Sequence, residues 1–148
     1  MAHYAENRKT KFDYEILEKY EAGIELLGVE VKSVRGGKMS LEGAFVIIRG
    51  GEAFLINANI PPYQPNNAPK DYDSLRNKKL LLTKKEIAAL AGSEKNKSLT
   101  IVPISAYNKG KKIKVEIALV KGKKKHDKRE TIKKRETDRE IRREYKDH

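Results

Sequence analysis

The chain has 148 residues, with 33 Lys and Arg against 21 Asp and Glu, a net charge of +12 and no Cys. That length suits one compact domain with a tail, and that charge makes a polyanion the expected partner. The absence of Cys excludes disulfides and thiolate metal sites and fits a reducing, cytoplasmic setting, while the longest apolar runs, such as Leu80-Leu81-Leu82, are too short to span a bilayer.

The first 11 residues carry Arg8, Lys9 and Lys11 without apolar periodicity or a signal-peptide core. They are expected to be disordered in the free protein, because they offer too little burial to offset their ordering entropy. Tyr14 to Leu27 reads as a bent strand, with Tyr14, Ile16, Glu18 and Tyr20 on one side and Gly23 as the interruption. Glu30 to Arg35 can form a short helix stopped by Gly36-Gly37. Ala44 to Ile48 and Ala53 to Ile56 are β-prone runs, and Gly50-Gly51 between them makes a hairpin turn. Residues 61–74 hold four of the five prolines and read as a loop. Thr83-Lys84-Lys85-Glu86 has the capping-box pattern; Ile87 and Leu90 face one way, and Gly92 can close the helix. Leu99 to Ile104 and Ile113 to Leu119 form a second strand pair around Asn108-Lys109-Gly110, and Pro103 calls for an edge or a bulge.

Five or six short strands with one or two helices make the expected fold mainly β. The architecture that buries its own edges at this size is a closed antiparallel barrel of the OB type, with short flanking helices and a basic C-terminal tail. Charge marks the tail: Lys121 to His148 holds 13 Lys or Arg against 7 Asp or Glu, half of the net charge. The expected division is a barrel over 1–122, with its N-terminal extension, and a tail over 123–148.

No catalytic constellation stands out. His3, His126 and His148 lie near the termini or in the tail, so no metal site is expected. Ser33, Ser40, Ser98 and Ser105 have no core His to activate them. Glu21, Glu25 and Glu30 could supply paired carboxylates but read as solvated acids on a strand face. Gly36-Gly37-Lys38 lacks the spacing of a phosphate loop. What remains is Lys and Arg interleaved with Tyr14, Tyr20, Tyr63, Tyr72 and Tyr107, of which one or two can stack on bases. The expected function is RNA binding without catalysis and without a cofactor. The competing readings are a small RNA-processing enzyme and a permanent ribosomal-type RNA-binding protein.

A set of motifs adds to this. Tyr20-Glu21-Ala22-Gly23-Ile24 is followed by Gly28-Val29-Glu30-Val31-Lys32-Ser33-Val34-Arg35-Gly36-Gly37-Lys38. Gly51-Glu52-Ala53-Phe54-Leu55, Asn59-Ile60, Arg76 to Leu82, Lys114-Val115 and Lys121 to Glu130 come next. In this order, closing on Gly-Lys-Lys-x-His-Asp-Lys-Arg, they resemble the SsrA-binding protein (small protein B) family of bacteria. The resemblance implies an OB-type barrel that binds the tRNA-like domain of transfer-messenger RNA. It also implies delivery of that RNA, with elongation factor Tu, to stalled ribosomes for trans-translation. The tail is implied to be disordered when free and helical in the mRNA channel beyond the decoding centre.

Carried over residue by residue, the implied RNA-binding residues are Asn7, Glu21, Leu81 and Lys114, with Lys32 and Arg35 in the Val-Lys-Ser-Val-Arg stretch. The implied ribosome-channel residues are Lys123, Lys124, His126, Asp127, Lys128 and Arg129. Phe12 departs from the pattern, since many members carry His there. An ionised Glu21 cannot bind a phosphate, but it can accept hydrogen bonds from base or ribose donors.

Overall fold

The structure is a computed structural model that describes residues 3–64 and 70–122. Among these residues run seven strands and three helical segments. The order is β1 (His3–Glu6), α1 (Lys9–Asp13), β2 (Tyr14–Ile24), α2 (Gly28–Arg35), β3 (Phe45–Arg49), β4 (Glu52–Ile56), β5 (Lys78–Leu81), α3 (Lys84–Glu94), β6 (Leu99–Lys109) and β7 (Lys112–Gly122). The expected tail over 123–148 lies outside the described residues.

Every ladder is antiparallel, and the pairings run in a ring: β6 to β3, β4, β5, β2, β7 and back to β6. The mainly β expectation holds. The β6 strand is long enough to serve three partners. It meets β3 at Ile101, β1 at Ser105 to Tyr107, and β7 along its length. The register against β7 slips between Pro103 and Ser105, which is the bulge that a proline inside a central strand requires. A second slip, between Ile16 and Glu18, bends β2 as it wraps the ring.

Inward-facing Ala22, Val46, Leu55, Leu80, Ile101, Val115 and Ile117 form the buried centre, and Leu90 of α3 packs onto it. Val102, Ala118 and Val120 form a second cluster with Tyr14, Ile16 and Ile104. Both faces of the β6–β7 pair are therefore covered at that end, and Ile117 to Val120 are buried without alternation.

Four expectations change. Residues 3–11 are not disordered: β1 pairs with β6, Tyr4 and Ala5 pack on the core, and Asn7 N–H donates to Ile104 O at 2.7 Å. Two anchors in the Tyr-Ala pair and one asparagine are enough, and they have no periodicity to read. Asn108 and Lys109 belong to β6 instead of the turn, which is tightened onto Gly110 at φ 63°. The α3 helix does not end at Gly92 but at Glu94, whose carboxylate accepts from Ile48 N–H and Arg49 Nη1, both at 2.7 Å. Glu30 is not solvated but fully buried at the start of α2. Its Oε1 accepts from Leu27 N–H at 2.7 Å and Arg76 Nη2 at 2.6 Å.

Lys78 is also fully buried. Its Nζ donates to the carbonyls of Ala58, Ser74 and Arg76 at 2.7, 3.3 and 2.8 Å, and burial pushes its pKa below the ordinary lysine value. Together with Tyr72 Oη, which donates to Ile60 O, it ties the loop before β5 to the ring of strands. The register of β5 against β2 is set from behind by these bonds.

Candidate RNA-binding site

The ladder brings together three residues that lie far apart in sequence. Gly23 of β2 is opposite Leu81 of β5 on one side and Lys114 of β7 on the other. Lys114 is in turn opposite Tyr107 of β6, and Tyr107 is opposite His3 of β1. Directly paired residues point to the same face, so Leu81, Lys114 and Tyr107 share one face across four strands. Glu21, two positions before Gly23, is on that face too and pairs with Glu116. Three of the expected RNA-binding residues, Glu21, Leu81 and Lys114, thus meet on the outer surface.

Each has a local reason for its posture. Leu81 is 49% exposed, unusual for the middle of a Leu triplet. Its side chain lies on Gly23: a Cβ at Gly23 would stand 3.2 Å from Leu81 Cβ and 3.4 Å from Cδ1. Gly23 is therefore a seat for Leu81. Beside this seat is a recess of about 330 Å³, floored by Ile24, Leu26, Val31 and Ile113 and rimmed by Arg35, Lys111, Lys112 and Lys114. Apolar floor and cationic rim suit a base or sugar held beside its own phosphate.

Glu21 is exposed, yet its carboxylate is held. Tyr107 Oη donates to Oε2 at 2.5 Å and Lys109 Nζ donates to Oε1 at 2.9 Å. These bonds, with the charges of Lys109 and Lys114 nearby, keep the carboxyl below its usual value of 4.5. Burial and the Glu21 carboxylate push the Tyr107 phenol upward. The ring of Tyr107 is 5% exposed, so it is not available for stacking. Tyr72 is held to Ile60, and Tyr14 packs on the second cluster. Tyr20 donates to Glu18, and its phenol is pushed up to about 12. Tyr63 is exposed, with Lys38 Nζ 5.3 Å from its ring centre.

The remaining expected residues fall into three places. Arg35 is exposed at the end of α2; its Nη2 donates to Lys111 O at 2.9 Å, so it joins the rim of the recess. Lys32 is exposed on the same helix but does not line the recess. Asn7 is at the other end of β1, where its Nδ2 donates to Pro103 O at 3.2 Å and Leu41 O at 3.4 Å. Lys123, Lys124, His126, Asp127, Lys128 and Arg129 lie outside the described residues. Sequence reasoning missed the partnership of Glu21 with Tyr107 and Lys109 and the role of Gly23. It also missed Lys111 and Lys112 on the rim.

The whole chain decides the family. The model of the family described as SmpB protein matches residues 4–147. The chain belongs to this family. It is similar to the SsrA-binding protein of Mesoplasma florum, 54% identical over 140 residues that cover 95% of this chain and 94% of the relative. It is also similar to that of Thermosynechococcus vestitus, 49% identical over 142 residues that cover 96% of this chain and 93% of the relative. Among solved structures, a chain from "tmRNA-SmpB: a journey to the center of the bacterial ribosome" matches with a TM-score of 0.68 at 43% identity. The match covers 86% of this chain and 92% of that one. Among the described residues no helix is long and apolar enough to cross a membrane.

Proposed function

We propose that this SmpB-family chain binds the tRNA-like domain of transfer-messenger RNA and brings it to stalled ribosomes for trans-translation. The observation that carries this reading is the meeting of Glu21, Leu81 and Lys114 on one face, beside a recess with a cationic rim. Lys114, Arg35, Lys111 and Lys112 neutralise phosphates, and Lys32 extends the field along α2. The Glu21 carboxylate accepts from base or ribose donors, which adds selection that a purely cationic surface lacks. Leu81 offers an apolar contact to a base or sugar face. Asn7 contributes by fixing β1 and the residues that follow it.

The ring of strands is read as an OB-type barrel over 1–122, a fold that commonly carries nucleic acid. The tail over 123–148 is read as a segment that folds only in the ribosomal channel. It is disordered when free and helical where RNA neutralises its cations, with Lys123, Lys124, His126, Asp127, Lys128 and Arg129 leading. Glu130 with Lys134 and Asp138 with Arg142 supply helix-supporting pairs, each worth roughly a few tenths of a kcal/mol, too little to fold a lone segment. The RNA arrives in complex with elongation factor Tu, the setting is cytoplasmic, and no turnover by this protein is needed.

Truncation after Lys125, or Ala at Asp127, Lys128 and Arg129, tests the division of labour. Affinity for the tRNA-like RNA should stay near wild type while peptide tagging on stalled ribosomes is lost. Tagging that survives truncation would contradict the role of the tail, and loss of RNA binding would contradict its separation from the barrel.

A further inference from the structure

We propose that Tyr107 and Lys109 are positioning residues for RNA recognition, which hold Glu21 outward as a fixed hydrogen-bond acceptor for a neutral base or ribose donor. The proposal rests on the RNA-binding reading above and deepens it.

The geometry is specific. Tyr107 is not on a neighbouring strand of Glu21: β7 runs between them. Its ring is anchored on β6 and buried, and its Oη reaches diagonally across β7 to Glu21 Oε2 at 2.5 Å. Lys109, two residues further along the same face of β6, reaches Oε1 at 2.9 Å. Each carboxylate oxygen thus takes one donor from the protein. A carboxylate has about four acceptor positions, so each oxygen keeps one for a ligand. The side chain of Glu21 is exposed, which leaves those positions open to an incoming RNA.

Electrostatics gives the second reason. A bare carboxylate facing RNA repels phosphates and is mobile about three side-chain bonds. The Lys109 ammonium cancels its charge at contact distance, and the two bonds fix its direction before RNA arrives. The lowered pKa of Glu21 agrees with this, since it stays an acceptor throughout the neutral range. The phenol and the ammonium have different duties. Tyr107 orients without charge, and Lys109 orients and neutralises.

The full chain should be titrated at several salt concentrations with an RNA fragment of the tRNA-like domain and with an unrelated hairpin. Tyr107→Phe keeps the buried ring and removes only the donor. It should weaken the specific RNA about fivefold, the effect of one lost hydrogen bond, with an unchanged salt slope and unchanged hairpin binding. Lys109→Met should weaken the specific RNA as well, and Lys109→Arg should restore it. Adding Tyr107→Phe to Glu21→Gln should cost less than Tyr107→Phe costs alone, because both act through one carboxylate. Urea unfolding of each variant separates these effects from instability. Wild-type affinity in both Tyr107→Phe and Lys109→Met, or full additivity with Glu21→Gln, would overturn the proposal while leaving the site in place. A wild-type protein that does not prefer the tRNA-like RNA would overturn the functional reading itself, and the proposal with it.

Discussion

Two clusters in this molecule each combine a Glu with basic side chains and do opposite work. In one, Glu30 and Lys78 are fully buried beside Arg76. In the other, Glu21 meets Tyr107 and Lys109 at the surface, where the Glu21 and Lys109 side chains are 36% and 58% exposed. Burial is what separates them. A buried charge is costly unless it is bonded, so the inner cluster is tied to backbone, three carbonyls to Lys78 and the Leu27 amide to Glu30 Oε1, while Glu30 Oε2 and Arg76 Nε make no hydrogen bond. A surface pair adds little stability, so the outer cluster makes its contribution through direction. The inner cluster fixes where β5 lies; the outer one fixes where a carboxylate points.

Substitutions in and around either cluster separate the two roles. The largest effect is expected at Lys78→Met, which preserves bulk and strands the carbonyls of Ala58, Ser74 and Arg76. Stability should fall by about 3 kcal/mol, the order expected for several buried acceptors left without a donor. Urea denaturation measures it, and an unchanged midpoint would show that water replaces the ammonium. Gly23→Ala comes next, because it intrudes on the seat of Leu81. The close approach to Leu81 Cβ, at 3.2 Å, calls for a shift of β5 or its side chain and a cost of about 1 kcal/mol. Affinity for the tRNA-like RNA should fall with it, whereas retained affinity would separate the Leu81 posture from recognition.

Lys114→Ala should leave folding nearly intact. It should cost on the order of 1 kcal/mol in RNA binding and lower the salt slope by about one unit or somewhat less, as for one phosphate contact. An unchanged Kd and slope would remove Lys114 from the site. The smallest effect is in pH. The pKa of Glu21 is lowered in the fold, so its contribution to stability is present above 4.5 and is lost as pH falls through the folded value below it. NMR titration of the Glu21 carboxyl should therefore give a midpoint under 4.5 in the wild type and a higher one in Tyr107→Phe. An equal midpoint in both would mean that the phenol bond is not formed in solution.

What could be read from sequence follows how local each determinant is. The β3–β4 hairpin is written in Gly50-Gly51, which take φ 58° and 75°. The start of α3 is written in Thr83 and Glu86, whose reciprocal bonds form at 3.2 and 3.0 Å. Pro103 announces its own bulge. By contrast, β1 has no pattern of its own and is ordered by the edge of β6 that it happens to meet. The end of α3 was misplaced because a tertiary bond from Glu94 to the β3 backbone outweighs the local preference of Gly92. The site was legible only through the family motifs. Glu21 lies 86 residues from Tyr107 and 88 from Lys109, and no spacing rule joins positions that meet across an intervening strand.

Recognition of RNA, as proposed, is centred on the outer face where β5, β2, β7 and β6 bring Leu81, Gly23, Lys114 and Tyr107 into one row. Amide chemical-shift mapping of the full chain against the tRNA-like RNA tests it most directly. The largest perturbations are expected at Glu21, Gly23, Leu81 and Lys114, with Lys111 and Lys112 following and the exposed side of α3 unaffected. Perturbations centred on α3, or on the Asn7 end of β1 with the row unchanged, would contradict it.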